Sequence, residues 1–110
     1  ISNSVIKDRS TLINEGMVAV FLMIDTKNNQ LISKPLVESK GFISANKKGL
    51  QNKASEIIAM DVMRLMNSQN KITFSDIKTV VRTSCQHFLY RESHRNPIVI
   101  PVILNASEAL

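Results

Sequence analysis

Met17-Val-Ala-Val-Phe-Leu-Met-Ile24 is the longest apolar run in the chain, bounded by Glu15-Gly16 on one side and Asp25 on the other. Its length and its Val, Phe and Ile content predict a β-strand. Because nearly every position is apolar, and not every second one, the strand is expected at the centre of its sheet. The run falls well short of the roughly 20 residues needed to span a bilayer, so it reads as core and not as a membrane segment.

On its C-terminal side, Asp25-Thr-Lys-Asn-Asn-Gln30 supplies polar turn residues, the asparagines tolerating positive φ, before Leu31-Ile-Ser-Lys-Pro-Leu-Val-Glu38 resumes an extended pattern. The two together predict a β-hairpin. Pro35 has no backbone N–H, so the second strand should lie at a sheet edge or break there, with a bulge or kink and with Gly41-Phe-Ile43 as a short continuation. On the N-terminal side, residues 1–15 mix polar residues with isolated apolar pairs, as expected of a linker arriving from an upstream domain. With Ile1 first and no charged n-region followed by a cleavage site, this stretch is expected to be neither a signal peptide nor a natural translation start, and something is expected to precede it.

Further along, Leu50, Ala54, Ile57, Ile58, Val62, Leu65 and Met66 recur at helical spacing and predict a first helix from about Lys47 to Met66, capped at or near Asn46. Asn67 to Asn70 reads as a loop. Thr73 with Asp76 three residues on predicts a capping box opening a second helix, whose buried stripe is Ile77, Val80, Val81, Cys85, Phe88 and Leu89. Pro97 ends the helical region. Ile98-Val-Ile-Pro-Val-Ile-Leu104 predicts a last strand, at an edge or bulged because Pro101 denies a ladder bond. The fold class is therefore α/β of the α+β two-layer sandwich kind: a three-stranded mixed sheet with two helices packed on one face, in the order β-β-α-α-β. It occupies residues 16–106; fraying is expected from about Asn105, with 107–110 a tail.

Hydrophobic content of 44% and charged content of 21% over 110 residues suit one globular domain and exclude disorder along most of the length. Cys85 is the only cysteine, which excludes an internal disulfide and a cysteine-rich zinc module and favours a reducing cytoplasm. Net charge of +5 permits attraction to nucleic acid, but the basic residues are spread along the chain instead of forming a block.

Candidate chemistry is sparse. His87 and His94 lie in no HxH or HExxH arrangement, and Cys85, two residues before His87, points to another side of the helix, so neither a metal site nor a Cys/His dyad is expected. Asp25, Glu38, Glu56, Asp61 and Asp76 are scattered over different elements, and Gly16, Gly41 and Gly49 form no phosphate-binding loop. Lys40, Lys47, Lys48 and Lys53, with Arg91 and Arg95, are the candidate RNA-contacting residues, against the plainer reading of a solvated surface. Asn105-Ala-Ser107 matches a glycosylation sequon formally, which carries no weight for a cytoplasmic protein.

Three segments carry a resemblance. Val5-Ile-Lys-Asp-Arg9 leads to Glu15-Gly-Met-Val-Ala-Val20; Lys34-Pro-Leu-Val-Glu-Ser-Lys-Gly-Phe-Ile43 follows; Phe88-Leu-Tyr90 precedes Arg95-Asn-Pro-Ile-Val-Ile-Pro-Val-Ile103. In order and spacing they resemble the C-terminal domain of ribonuclease J, a bacterial enzyme of the metallo-β-lactamase superfamily with an inserted β-CASP domain. The likeness covers nearly the whole chain. Its motif residues here are Gly16, Pro35, Gly41, Phe42, Phe88, Tyr90, Pro97 and Pro101, read as structural. The family's Gly, Asp and Arg become Lys34, Leu36 and Lys40, which puts in doubt any contact needing a carboxylate at 36 or a guanidinium at 40.

The resemblance implies a full-length parent that cleaves RNA in 5′-exonucleolytic and endonucleolytic modes, by hydroxide activated on a zinc pair in the upstream catalytic domain. It assigns no catalytic residue and no cofactor to this chain, which is expected to support dimerisation and activity of the parent as a homo-oligomer, in the cytoplasm and without a membrane. The alternative reading is a free-standing basic RNA-binding module.

Overall fold

The computed structural model describes residues 15–41, 47–68 and 71–106. They form one mixed sheet and two helices: β1 (Met17–Asp25), β2 (Gln30–Leu31), β3 (Leu36–Lys40), α1 (Lys47–Ser68), α2 (Phe74–Ser93) and β4 (Ile98–Asn105). The expected order stands, with one refinement: the second arm of the hairpin is two short strands. β2 pairs antiparallel with the C-terminal end of β1, and β3 pairs antiparallel with its N-terminal part, Phe21 opposite Leu36 and Met17 opposite Lys40. The break falls where Pro35 lacks a donor, and the Pro35 carbonyl is taken by the hydroxyl of buried Ser55 on α1. Gly41-Phe-Ile43 was expected to continue the strand; Phe42 and Ile43 lie outside the described residues, as do the Asn46 cap and the arriving segment 1–14.

β1 is the central strand, as its composition predicts. β4 runs parallel along its other edge, from Met17 opposite Ile98 to Ile24 opposite Asn105, in one unbroken register. Pro101 therefore sits in an edge strand without a bulge. The Ile98 N–H donates to the Gly16 carbonyl at 3.1 Å, which fixes the phase of the ladder. Alternate residues 98, 100, 102 and 104 turn their N–H toward β1, so the donor missing at Pro101 faces outward and no ladder bond is lost. Asn105, expected to fray, ends the strand in place: its side chain accepts from the Thr26 N–H at 3.3 Å and donates to the Thr26 hydroxyl at 2.9 Å.

One side of β1 carries Val18, Val20, Leu22 and Ile24, and the helices cover it. Their buried partners are Ala54, Ile58, Val62 and Met66 from α1 and Ile77, Val81, Cys85, Phe88 and Leu89 from α2. α1 continues to Ser68, two residues beyond the expected end, and the Met66 carbonyl there accepts from the Asn29 amide in the β1–β2 turn. A helix of 22 residues is ~33 Å long. The short connection from Ser68 to Phe74 cannot retrace that length, so α2 packs antiparallel to α1. α2 opens with the expected capping box. Thr73 Oγ1 accepts from the Asp76 N–H and Asp76 Oδ2 accepts from the Thr73 N–H, both at 3.1 Å. It closes on His94, in the left-handed region at φ 56°, whose N–H donates to the Tyr90 carbonyl at 2.8 Å.

Candidate functional site

Gly16 and Gly41 both adopt positive φ, 83° and 72°, at the same end of the β1–β3 pair. A Cβ on Gly41 would stand 3.4 Å from the Gly16 Cα; backbone geometry and close approach together explain both glycines. Pro35 and Pro97 are buried and Phe88 lies in the core, whereas Tyr90, of the same short motif, is 56% exposed.

The candidate catalytic groups do not converge. Cys85 is fully buried, and burial pushes its thiol up to about 12, which removes the thiolate character a nucleophile or metal ligand needs. His87 and His94 are exposed on the outer side of α2. Asp61 is engaged by Ser84 and Arg64, and Asp76 by the helix cap. Among the described residues no three His, Cys, Asp or Glu side chains gather as a metal site would require. No described helix is long and apolar enough to cross a membrane.

Of the candidate RNA-contacting residues, Lys48 and Lys53 are exposed on the N-terminal half of α1, and Lys40 is exposed at the end of β3. Lys47 heads α1, but its side chain lies outside those described. Arg91 stands 3.8 Å from Glu92 with its guanidinium 5.7 Å from the Phe88 ring centroid. Arg95 is held at 3.1 Å by Glu15, tying the chain ahead of β4 to the chain ahead of β1. The lysines thus lie on β3 and the N-terminal half of α1, which Gln51 and Ser39 join at 3.1 Å, and the two arginines lie at the C-terminal end of α2 and ahead of β4.

What the structure does bring together is apolar. The sheet has helices on one side only, and its other side presents Phe21 (41% exposed), Leu36 (56%), Ile100 (40%) and Leu104 (57%). Leu36, Phe21 and Val102 form one cross-strand row, since Phe21 is opposite both neighbours. Ile32, also exposed, extends the patch past β2, its N–H donating to the Met23 carbonyl at 2.9 Å. An antiparallel or mixed sheet with a solvated face normally carries polar residues there. Here an apolar patch takes their place over the middle of the face, with Glu38 and Lys40, exposed on the same side of β3, at its margin. The signal was present in the uniformly apolar run of β1, which is one face too many for two helices to bury.

This is a small α+β domain with no convergent catalytic constellation among its described residues and with an exposed apolar patch on one sheet face. Residues 4–106 match the family described as ribonuclease J C-terminal domain, and the chain belongs to that family. It is similar to ribonuclease J2 of Bacillus subtilis strain 168, 30% identical over 105 residues that cover 94% of this chain and 19% of that protein. Ribonuclease J 2 of Staphylococcus saprophyticus is 29% identical over 104 residues, covering 94% and 18%. That of Staphylococcus aureus strain NCTC 8325 is 25% identical over 103 residues, with the same coverage. The chain spans less than a fifth of the length of these relatives.

Proposed function

We propose that this chain serves as the non-catalytic association module of a larger, zinc-dependent ribonuclease that works in 5′-exonucleolytic and endonucleolytic modes in RNA processing and decay, and that it joins two protomers through its open sheet face. The observation that carries the reading is the apolar row of Leu36, Phe21 and Val102, flanked by Ile100 and Leu104 and left without a helix over it. The zinc pair would be held upstream: the residues here do not fit it, because Cys85 is a buried, fully protonated thiol and the two histidines face solvent without carboxylate partners beside them.

The face, and not an edge, is the contact surface. Strand addition needs a continuous row of free donors and acceptors. On the β4 side that row is interrupted by Pro101, whose missing donor points outward, and on the opposite side the strand itself is broken between Leu31 and Leu36. Two sheets stacked face to face need no backbone donors and bury their apolar rows against each other about 10 Å apart.

Sedimentation of the chain tests this. Association at micromolar concentration is expected, and Phe21→Lys with Ile100→Lys should give a folded monomer, because a charge buried at the centre of an apolar contact costs far more than the contact returns. A strictly monomeric wild-type chain at high micromolar concentration removes the claim.

A further inference from the structure

The charge of the domain is as unevenly placed as its apolar surface. Nine of the 14 Lys and Arg and four of the nine Asp and Glu lie between residues 47 and 95, so the two-helix layer carries the entire net charge of +5. The rest of the chain balances, five against five. Within that layer α1 carries four bases against two acids and α2 three against two, but the two acids of α2 lie at its ends. From Ile77 to Arg91 it contains no acid, and Asp76, just before, is folded into the capping box.

The outward positions of α2 are nearly all hydrogen-bond donors. Exposed Lys78 and Arg82 and half-buried Gln86 follow one another at four-residue spacing, and so lie on one stripe of the helix. Thr79, Thr83 and Tyr90 lie beside them, and His87 with Arg91 beyond. None of the ion pairs among the described residues engages Lys78 or Arg82. Tyr90 packs edge-on against His94, the ring centroids 6.0 Å apart at 86°, which leaves the Tyr90 ring on the surface although the residues Phe88 and Leu89 just before it are buried.

We infer that the outer face of α2 is an RNA-contacting surface, in which Lys78 and Arg82 meet phosphates and Tyr90 offers a ring for an unpaired base. Phosphate recognition asks for a run of donors without carboxylates, and between Asp76 in the cap and Glu92 beside Arg91 this face supplies one, with Lys78 and Arg82 in it. The exposed aromatic ring among them favours a single strand, whose bases are free to stack, over a featureless polyanion. An anionic membrane is the weaker match, because an interfacial helix needs an apolar face to insert and the apolar face of α2 is buried against the sheet. The α2 surface lies on the opposite side of the domain from the sheet face, so two protomers joined through their sheets would present two such helices outward. RNA as the occupant rests on the reading of the parent as a ribonuclease, but a parent that failed to cleave RNA while α2 still bound it would sink that reading alone.

The test is a titration of a labelled single-stranded RNA of about 20 nucleotides with the full chain, followed by anisotropy at low and moderate salt. Lys78→Glu with Arg82→Glu should weaken binding about tenfold or more and flatten the salt slope by about 0.7 for each phosphate no longer neutralised. Lys34→Glu with Lys40→Glu, the same change in net charge placed on the β2–β3 segment and not on α2, should stay within about threefold of wild type, as expected if local contacts and not total charge hold the strand. Lys78→Gln with Arg82→Gln, a milder pair that keeps the helix face polar, should fall in between. Tyr90→Ala should cost about fivefold or more while Tyr90→Phe retains binding. Equal weakening by the two Glu pairs, wild-type binding by the α2 pair, or capture by phosphatidylglycerol vesicles without RNA binding would each overturn the inference.

Discussion

The Ser84 hydroxyl donates to Asp61 Oδ2 at 2.7 Å, a bond between α2 and α1 across a sequence separation of 23 residues. The bond is part-buried, beside helices whose core residues include Ile58 and Val62 on α1 and Val81 and Cys85 on α2. Asp61 also holds Arg64 at 3.1 Å on its own helix, so the carboxylate is satisfied from both sides. Ser84→Ala should lower stability by about 1 kcal/mol, near the ordinary value for a hydrogen bond to a charged group that water can partly replace. Urea unfolding measures it, and a loss below about 0.3 kcal/mol would mean that water substitutes for the hydroxyl completely.

The two ends of α2 are open to the same treatment. Thr73→Ala removes one half of the capping box and should cost about 1 kcal/mol. At the other end His94 holds φ 56°, a conformation glycine adopts without strain. His94→Gly should therefore stabilise the fold by up to about 1 kcal/mol. Opposite signs in thermal melts of the two variants are the expected result; destabilisation by both would show that His94 contributes through its contact with Tyr90 more than its backbone costs.

The chain order of the elements was legible because each one announces itself locally: Thr73 and Asp76 at a cap, Pro35 at a break, the helical spacing of Leu50 to Met66. The pairing of β4 beside β1, and not beside β3, was not legible, since parallel pairing leaves no turn residues to read. Nor was the side on which α2's charge would fall. Lys40, Lys48 and Lys53 are close in sequence and so read as a cluster, whereas Lys78 and Arg82 are isolated in a segment whose only signal is the absence of Asp and Glu from Ile77 to Arg91. Arg95 reads as available for a phosphate until the fold brings Glu15, 80 residues away, to its side. Such long-range pairings follow from packing, and no local pattern encodes them.

Pro101 tests the phase of the β1–β4 ladder. If its missing donor faced β1, Pro101→Val would restore a ladder bond and stabilise the fold by about 1 kcal/mol. With the donor facing outward, as the Ile98 to Gly16 bond requires, the substitution returns nothing inside the fold and forfeits the stiffness of proline in the unfolded chain, about 0.4 to 1 kcal/mol. A slight destabilisation is expected, together with a new tendency to associate through the edge, because the row of donors on β4 becomes continuous. Urea midpoints combined with light scattering separate the two cases.

Cys85 provides the pH dependence. Its thiol is raised from 9.0 to about 12 by burial alone, with no charged partner to offset the loss of solvation. The unfolded chain therefore releases this proton at lower pH than the folded chain does, and the folded state binds more protons in the window between those values. Stability is unaffected below about pH 9 and falls as pH rises toward 12, by up to about 1.4 kcal/mol per pH unit from this group. The measurement is a difference: the alkaline loss of stability should be shallower in Cys85→Ala than in wild type, although the variant is less stable at neutral pH by about 1 to 2 kcal/mol for the cavity it leaves. The same burial predicts that a maleimide reacts at pH 8 only through opening of the fold, at a rate that rises with urea. Rapid labelling of the native chain would place the thiol at the surface and remove both expectations.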